Sequence, residues 1–529
     1  MLMFLKNHRT FILLVCLLIL LLPALMLMIT SPMYPSHDGL IHAERISQFH
    51  MAISNGQIPP RLAPTYAEEV GFPMFVVNYQ LPYYLAEILM LVFGNPFVAL
   101  KGVLSASYLA SAVFAFLLFR NYGSHLASFV GALIFSYLPY RFANIYTRAA
   151  LGESVALMFI PLVLFSLHQI SKQSRSGVVL LAISTFGLIT SHTLIFFLFL
   201  PFFVFYVLTF LNLDKKMLVT ILVGFFLGVL LSSFQLIPAI FEGRYTKLEE
   251  TFLNLYGGHF LNIYQLLRIP KNGIAVGTPF QIGLGGTLII ILSSLGLFFK
   301  KNHQIIFLLI TIVISAFFIE KLSVWFWNSW PFLKFVIFPW RFLSIIAVSI
   351  AFLTVFLVDQ IKFKKTFSLF LIMLALFTSR HYFLKPTQYE STSPEYIVGA
   401  PSEFDTIWSS VNTFKPRPLV ETEPSGEISN LVQSSTRLSF DLKANSPTRA
   451  IIRKIYFPGW NVKVNGNEYE TDQTDGLVSF EVGQGSWQLM FYFEETQIRL
   501  LANLLTLSSF IFLVLILTRS SFFNLMRYI

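Results

Sequence analysis

The chain has 529 residues, of which 55% are hydrophobic, 16% aromatic and only 12% charged, with phenylalanine alone at 58. That charged share is about half the globular norm, which excludes an ordinary soluble enzyme and points to an α-helical polytopic membrane protein. The net charge of +10 is read against membrane topology, not as a nucleic-acid footprint, and the single cysteine, Cys16, excludes an internal disulfide and a cysteine-built metal cage.

The first apolar run, "FILLVCLLILLLPALMLMIT", lacks an A-x-A-like cleavage site after it and reads as a retained span. Two apolar segments follow, about 74–93 and 97–119. The first of these is broken by Pro82 and carries Asn78, Gln80 and Glu87, so it reads as an interfacial or half-inserted helix on the outer face. The block from Gly177 to Asn212 would be roughly 54 Å long as one helix, so it crosses twice and turns near Ser191, His192 and Thr193, placing His192 outside.

Basic residues fix the cytoplasmic turns: Lys6 and Arg9, Arg120, Lys172 and Arg175, Lys215 and Lys216, Lys300 and Lys301, Lys362, Lys364 and Lys365, then Arg519 and Arg527. With these inside, the chain makes about twelve spans with both termini cytoplasmic. The outer loops are then approximately 32–96, 141–152, 241–280, 321–337 and 384–497. The membrane domain is expected over 1–383, and a closing helix with its cytoplasmic tail over 498–529. Residues 384–497 differ in kind: "RLSFDLKA", "RAIIRKIYF", "WNVKVNG", "LVSFEV" and "WQLMFYF" alternate with period two between Gly and Asn turns, which predicts an extracytoplasmic β-sandwich.

Polar residues collect at the outer face. Asp38, His42 and Arg45 follow the first span at spacing i, i+4, i+7 and share one face of a helix. "YRFANIYTRAALGES" places Arg141, Arg148 and Glu153 at the next outer turn, and "FPWRFL" places Arg341 where a later span begins. A helix start that merely favours an acid, or arginines that snorkel to the headgroups, accounts for each of these singly. Acids and arginines gathered on one side suit transfer from an anionic, membrane-held donor, with a carboxylate deprotonating the attacking hydroxyl and guanidinium forks holding the leaving phosphate. His42 and His192 are candidates for proton or metal contact, and Arg61 in the same outer loop is a further substrate contact. No P-loop, dinucleotide turn, HExxH or GxSxG motif is present, so no soluble cofactor is implied.

"HDGLIHAERISQF", "NGQIPPRLAPTYAEEVGFPMFVVNYQLPYYL", "YRFANIYTRAALGESVALMFIPLVL", "LLSSFQLIPAIFEG" and "FPWRFL" together resemble a family of bacterial membrane proteins labelled 6-pyruvoyl-tetrahydropterin synthase-related, over roughly 1–380. "YFPGWNVKVNGNEYE" and "GSWQLMFYF" are similar to YfhO-type extracytoplasmic domains, and both groups are similar to the GT-C class of membrane glycosyltransferases. The resemblance implies an enzyme of a bacterial plasma membrane that moves a sugar from a polyprenyl-phosphate carrier to a cell-envelope acceptor: a glycan, a teichoic-type polymer or a protein. It further implies an essential acid in the first outer loop, the position of Asp38, and in some members a second acid in the next, the position of Glu153; the outer-face arginines Arg45, Arg148 and Arg341 are then expected on the donor phosphate. The tandem-acid form of some members is absent, since His37 and Gly39 flank Asp38, and a divalent cation stays open. The ten histidines are scattered, unlike the zinc triad of the soluble synthase, so pterin chemistry is not expected. A transporter or flippase of lipid-linked saccharides, or a non-catalytic envelope-assembly protein, remains an alternative.

Overall fold

A computed structural model describes residues 8–30, 33–252, 255–267, 280–299, 301–380 and 402–525, with side chains undescribed at 27, 67, 68, 175, 402 and 519–525. The predicted fixed points Lys6, Lys300 and Arg527, and the stretch 384–401 of the last outer loop, lie outside the described residues.

Among the described residues, six helices are long and apolar enough to cross a membrane: His8–Leu25, Pro96–Phe119, Leu151–Ser171, Thr193–Phe210, Pro339–Gln360 and Gln497–Thr518. Three bent pairs, His125–Tyr137 with Pro139–Thr147, Lys215–Leu231 with Ser233–Tyr245, and His303–Ile319 with Lys321–Ser329, raise the number to nine if each is one span. Pro339–Gln360 forms the centre, with 89% of it buried, and Gln497–Thr518 lies at the periphery, with 17% buried. The helices begin where the sequence supplies caps. Asn95, Ser124, Asp214 and Asn302 each accept a backbone N–H of the following first turn, satisfying donors that the helix itself leaves free.

The block 177–212 turns as expected, with helix Arg175–Ser191 ending at His192 and helix Thr193–Phe210 starting there. The segment 74–93 is divided into helices Met74–Val77 and Leu81–Phe93, closed by Gly94 in the left-handed conformation. The 13 residues of Leu81–Phe93 reach only about 20 Å, short of the roughly 30 Å hydrocarbon core.

The C-terminal region is two antiparallel sheets packed face to face. Its strands are β1 (Val420–Glu423), β2 (Glu427–Gln433), β3 (Arg437–Ala444), β4 (Thr448–Ile455), β5 (Trp460–Val464), β6 (Asn467–Glu470), β7 (Asp472–Thr474), β8 (Leu477–Val482) and β9 (Gly485–Phe493). One sheet runs β1-β4-β8-β7 and the other β2-β3-β9-β5-β6. Leu438, Phe440 and Leu442 of β3 alternate inward and meet Ala450 and Ile452 of β4, Val462 of β5, Val478 of β8 and Phe491 of β9 in one core, the arrangement a period-two pattern demands.

The sandwich is bolted to the membrane domain. Arg61 grips Glu495 through Nε at 2.8 Å and Nη2 at 3.2 Å, and also donates to Asn503 Oδ1 and the Phe234 carbonyl. Arg499 and Glu242 form a fully buried pair at 2.7 Å, and Arg499 also donates to the Pro458 carbonyl. Ile455 N–H of β4 bonds the Val70 carbonyl. These contacts join the loop that carries Arg61 and Val70, the bend at Ser232 and the C-terminal helix into one joint.

Candidate functional site

Helix Gly39–Ser54 opens with Asp38 as its N-cap residue. The Asp38 carboxylate caps no backbone N–H of that helix and enters no salt bridge among the described residues. What fixes Asp38 is its backbone: His37 N–H donates to the Thr147 carbonyl and Asp38 N–H to the Arg148 carbonyl, both at 2.9 Å. The receiving segment is irregular. Ala143–Thr147 is a π-helical turn in which Arg148 N–H reaches back to the Ala143 carbonyl, and Ala149 follows at φ 51°. A single π turn shifts the register of everything after it, and a left-handed alanine costs about 1–2 kcal/mol. Together they aim the Arg148 side chain at the next helix while its carbonyl faces Asp38.

That next helix, Leu151–Ser171, carries Glu153 in its first turn, where a carboxylate is favoured by the helix dipole. Glu153 is 1% exposed. Its Oε1 accepts from the Tyr140 hydroxyl and from Asn144 Nδ2 at 3.1 Å, and its Oε2 takes Arg148 Nη1 at 2.8 Å and faces Arg341 Nε at 3.6 Å. Arg341 extends the network: Nη1 donates to the Val336 carbonyl at 2.6 Å and Nη2 lies 3.2 Å from His192 Nε2. The Phe338 ring lies between the two guanidinium groups, 5.7 Å from Arg148 and 5.0 Å from Arg341.

An aromatic wall continues from His192. Tyr79 stacks on His192 at 5.8 Å and on Tyr83 at 5.7 Å, and the Tyr83 hydroxyl lies 3.2 Å from His42 Nδ1. Gly152 makes the stack possible, since a Cβ there would sit 2.4 Å from Tyr79 Cζ. His42 is buried, and burial together with the positive charges of Arg45 and Arg148 holds its pKa well below the usual imidazole value, so the ring is neutral. Arg45 stands beside it, with Nη2 on Glu403 Oε1 at 2.9 Å and the guanidinium over the Phe404 ring at 5.2 Å.

Asp38, His42, Arg45, Arg148, Glu153, His192 and Arg341 thus come together from four parts of the chain. Three placements refine the expectations. Asp38 lies just outside the helix, not on one face of it with His42 and Arg45, because it occupies the cap. Arg61 lies at the joint, where it donates to Glu495, Asn503 and the Phe234 carbonyl. Arg141 points away from Glu153, donating to Ser111 Oγ at 2.6 Å between the rings of Tyr108 and Phe135. Both Glu153 oxygens are engaged, Oε1 by Tyr140 and Asn144 and Oε2 by Arg148 with Arg341 close by. Tyr79, Tyr83, Tyr140 and Asn144 were not singled out by the sequence, although "NYQLPYYL" and "PYRFANIY" place them within the segments that carry the charges. Among the described residues, no three His, Cys, Asp or Glu side chains form a metal-binding set.

A helical membrane domain with a buried acid–arginine cluster beneath a β-sandwich defines the class of this molecule. A family model described as "6-pyruvoyl-tetrahydropterin synthase related domain; membrane protein" matches residues 77–384, more than half of the chain. The chain belongs to this 6-pyruvoyl-tetrahydropterin synthase-related family of membrane proteins. The match contains Arg148, Glu153, His192 and Arg341 and begins after Asp38, His42 and Arg45. No curated protein matches the chain. Among solved structures it is similar to the Archaeoglobus fulgidus oligosaccharyltransferase in the apo form, at 14% identity and TM-score 0.45 over 70% of this chain and 55% of that one. The same oligosaccharyltransferase in complex with zinc and sulfate gives 14% identity and TM-score 0.45, over 70% of this chain and 52% of that one. The chain therefore spans about half the length of those structures.

Proposed function

We propose that the protein is a GT-C-type glycosyltransferase of a bacterial plasma membrane, moving a sugar from a polyprenyl-phosphate-linked donor to an extracytoplasmic cell-envelope acceptor. The observation that carries this reading is the carboxylate of Asp38, without a salt bridge among the described residues and fastened by its backbone to the Arg148 carbonyl beside an arginine pair anchored on Glu153. In the reaction the acceptor hydroxyl gives its proton to Asp38, and its oxygen forms a bond to the anomeric carbon. The bond between that carbon and the phosphate oxygen breaks, and the electron pair leaves with the lipid phosphate, stabilised by guanidinium groups. His42 is neutral and serves as a hydrogen-bond partner near Asp38, while Arg45, Arg148 and Arg341 supply the positive field.

In this reading the two shorter apolar helices Ser176–Ser191 and Gly283–Phe299, with Lys364–Ser379, also cross, bringing nine spans to twelve. Both termini lie in the cytoplasm, and the polar cluster and the sandwich face outward. Helix Leu81–Phe93, with Ile88, Leu91, Val92 and Phe93 exposed, lies at the outer interface and admits the lipid tail from the side.

The test is transfer of labelled sugar from polyprenyl-phosphate donors to an envelope fraction, comparing wild type with Asp38→Asn at matched membrane expression. Product with wild type and its loss with the variant supports the assignment. Equal product from both removes Asp38 from the chemistry, and no product from wild type across a broad donor panel overturns the enzyme reading.

A further inference from the structure

Arg45 is nine-tenths buried, and its guanidinium is only partly used. Nη2 meets the Glu403 carboxylate at 2.9 Å, but Nε is buried with no hydrogen-bond partner among the described residues. The hydroxyls of Tyr66 and Tyr83 already engage the same guanidinium, Tyr79 lies close to it, and the Phe404 ring backs it. A fork with one prong empty, ringed by hydroxyls that can donate, is built for an anion with several oxygens, and a monodentate carboxylate fills it incompletely.

Glu403 reaches this place from far along the chain. The pair joins residues 358 positions apart, across the boundary between the membrane domain and the region that leads into the sandwich. The Glu403 side chain is 21% exposed against 11% for Arg45, so the carboxylate is the end of the pair closer to water. Its neighbours are strapped down separately, by Lys247 N–H on the Asp405 carbonyl and Ile407 N–H on the Tyr245 carbonyl. The Glu403 side chain can therefore swing away while the backbone stays anchored.

We propose that Glu403 is a built-in stand-in for the donor phosphate, occupying the Arg45 anion site at rest and yielding it to the phosphate of the lipid-linked donor. This rests on the glycosyltransferase reading and adds a resident competitor to it. A phosphate engages Nε and Nη2 together and gains the charge-assisted bond that Glu403 leaves unmade. The empty site is thereby never an unpaired buried cation, which would be costly.

The experiment is binding of decyl phosphate, and separately of inorganic phosphate, to the full-length protein in detergent micelles. Wild type, Glu403→Gln, Glu403→Ala and Arg45→Gln are compared after each is shown to be monodisperse. The expected result is about tenfold tighter decyl phosphate binding in both Glu403 variants, the scale of one lost competing ion pair, and loss of binding in Arg45→Gln. Unchanged or weaker binding in the two Glu403 variants, with Arg45→Gln still defective, overturns the stand-in role and leaves the phosphate site standing. Tightening for inorganic phosphate alone overturns the lipid-donor assignment of the site. Tighter decyl phosphate binding without sugar transfer from any donor upholds the stand-in and sinks the glycosyltransferase reading.

Discussion

The backbone N–H of Asp38 donates to the carbonyl of Arg148 at 2.9 Å, so the acid is positioned by the peptide chain, and its carboxylate enters no salt bridge among the described residues. Removing that charge should therefore cost little structure. Asp38→Asn is expected to keep the stability of the detergent-solubilised protein within about 0.5 kcal/mol of wild type while transfer falls about 10²–10⁴-fold, the range of a lost general base. A large drop in Tm would show that the carboxylate holds the fold after all.

Glu153 predicts the opposite pattern. It is the counter-ion of Arg148 and sits 3.6 Å from Arg341 Nε, with both arginines buried. Glu153→Gln leaves two buried guanidinium groups with no carboxylate, a class of change that costs about 3–5 kcal/mol. Thermal unfolding should show that loss, with His192 and Phe338 losing protection together because they pack on the same arginines.

The legibility of this molecule in its sequence follows the range of the interactions. The inward strands β3, β4, β5, β8 and β9 could be read because alternation is local, and "RLSFDLKA" is β3, residue for residue, whereas the short or exposed β1, β2, β6 and β7 carry no such pattern. The break at His192 could be read because a helix of that length overshoots the bilayer. The acids and arginines of the site could be located, since charge in an apolar chain is conspicuous, but their partners could not. Arg61 pairs with Glu495 across 434 positions and Arg45 with Glu403 across 358, and no periodicity encodes such contacts. The π turn at Ala143–Thr147 was equally hidden, because nothing in the residue types of "ANIYT" marks a one-residue slip.

Gly152 offers a test of the aromatic wall. Any Cβ there would lie 2.4 Å from Tyr79 Cζ and 2.8 Å from the Ser191 carbonyl, and only the first of these can move. Gly152→Ala should push Tyr79 off both His192 and Tyr83, lowering transfer more than stability. The check is a kinetic comparison with Tyr79→Phe, which keeps the ring and removes only the hydroxyl. If the two variants fall equally, the hydroxyl matters and the stacking does not.

At the joint with the sandwich, Lys454 is 4% exposed, and Nζ donates to the Glu69 carbonyl at 2.5 Å with no carboxylate on it. Burial lowers its pKa from the usual lysine value to about 8. The unfolded chain, titrating near 10.5, then binds more protons than the folded one between about pH 8 and 10.5, so this group makes stability rise with pH across that window. Below pH 8 the lysine is charged in both states and its burial cost is fully present; above 10.5 the cost is gone. Lys454→Met, similar in length and without the charge, should raise the Tm at pH 7 by an amount equivalent to about 1–3 kcal/mol, and the gain should fade as the pH approaches 10.5. A gain independent of pH would assign the effect to packing. A loss at pH 7 would mean that the single bond to the Glu69 carbonyl outweighs the cost of burying the ammonium group.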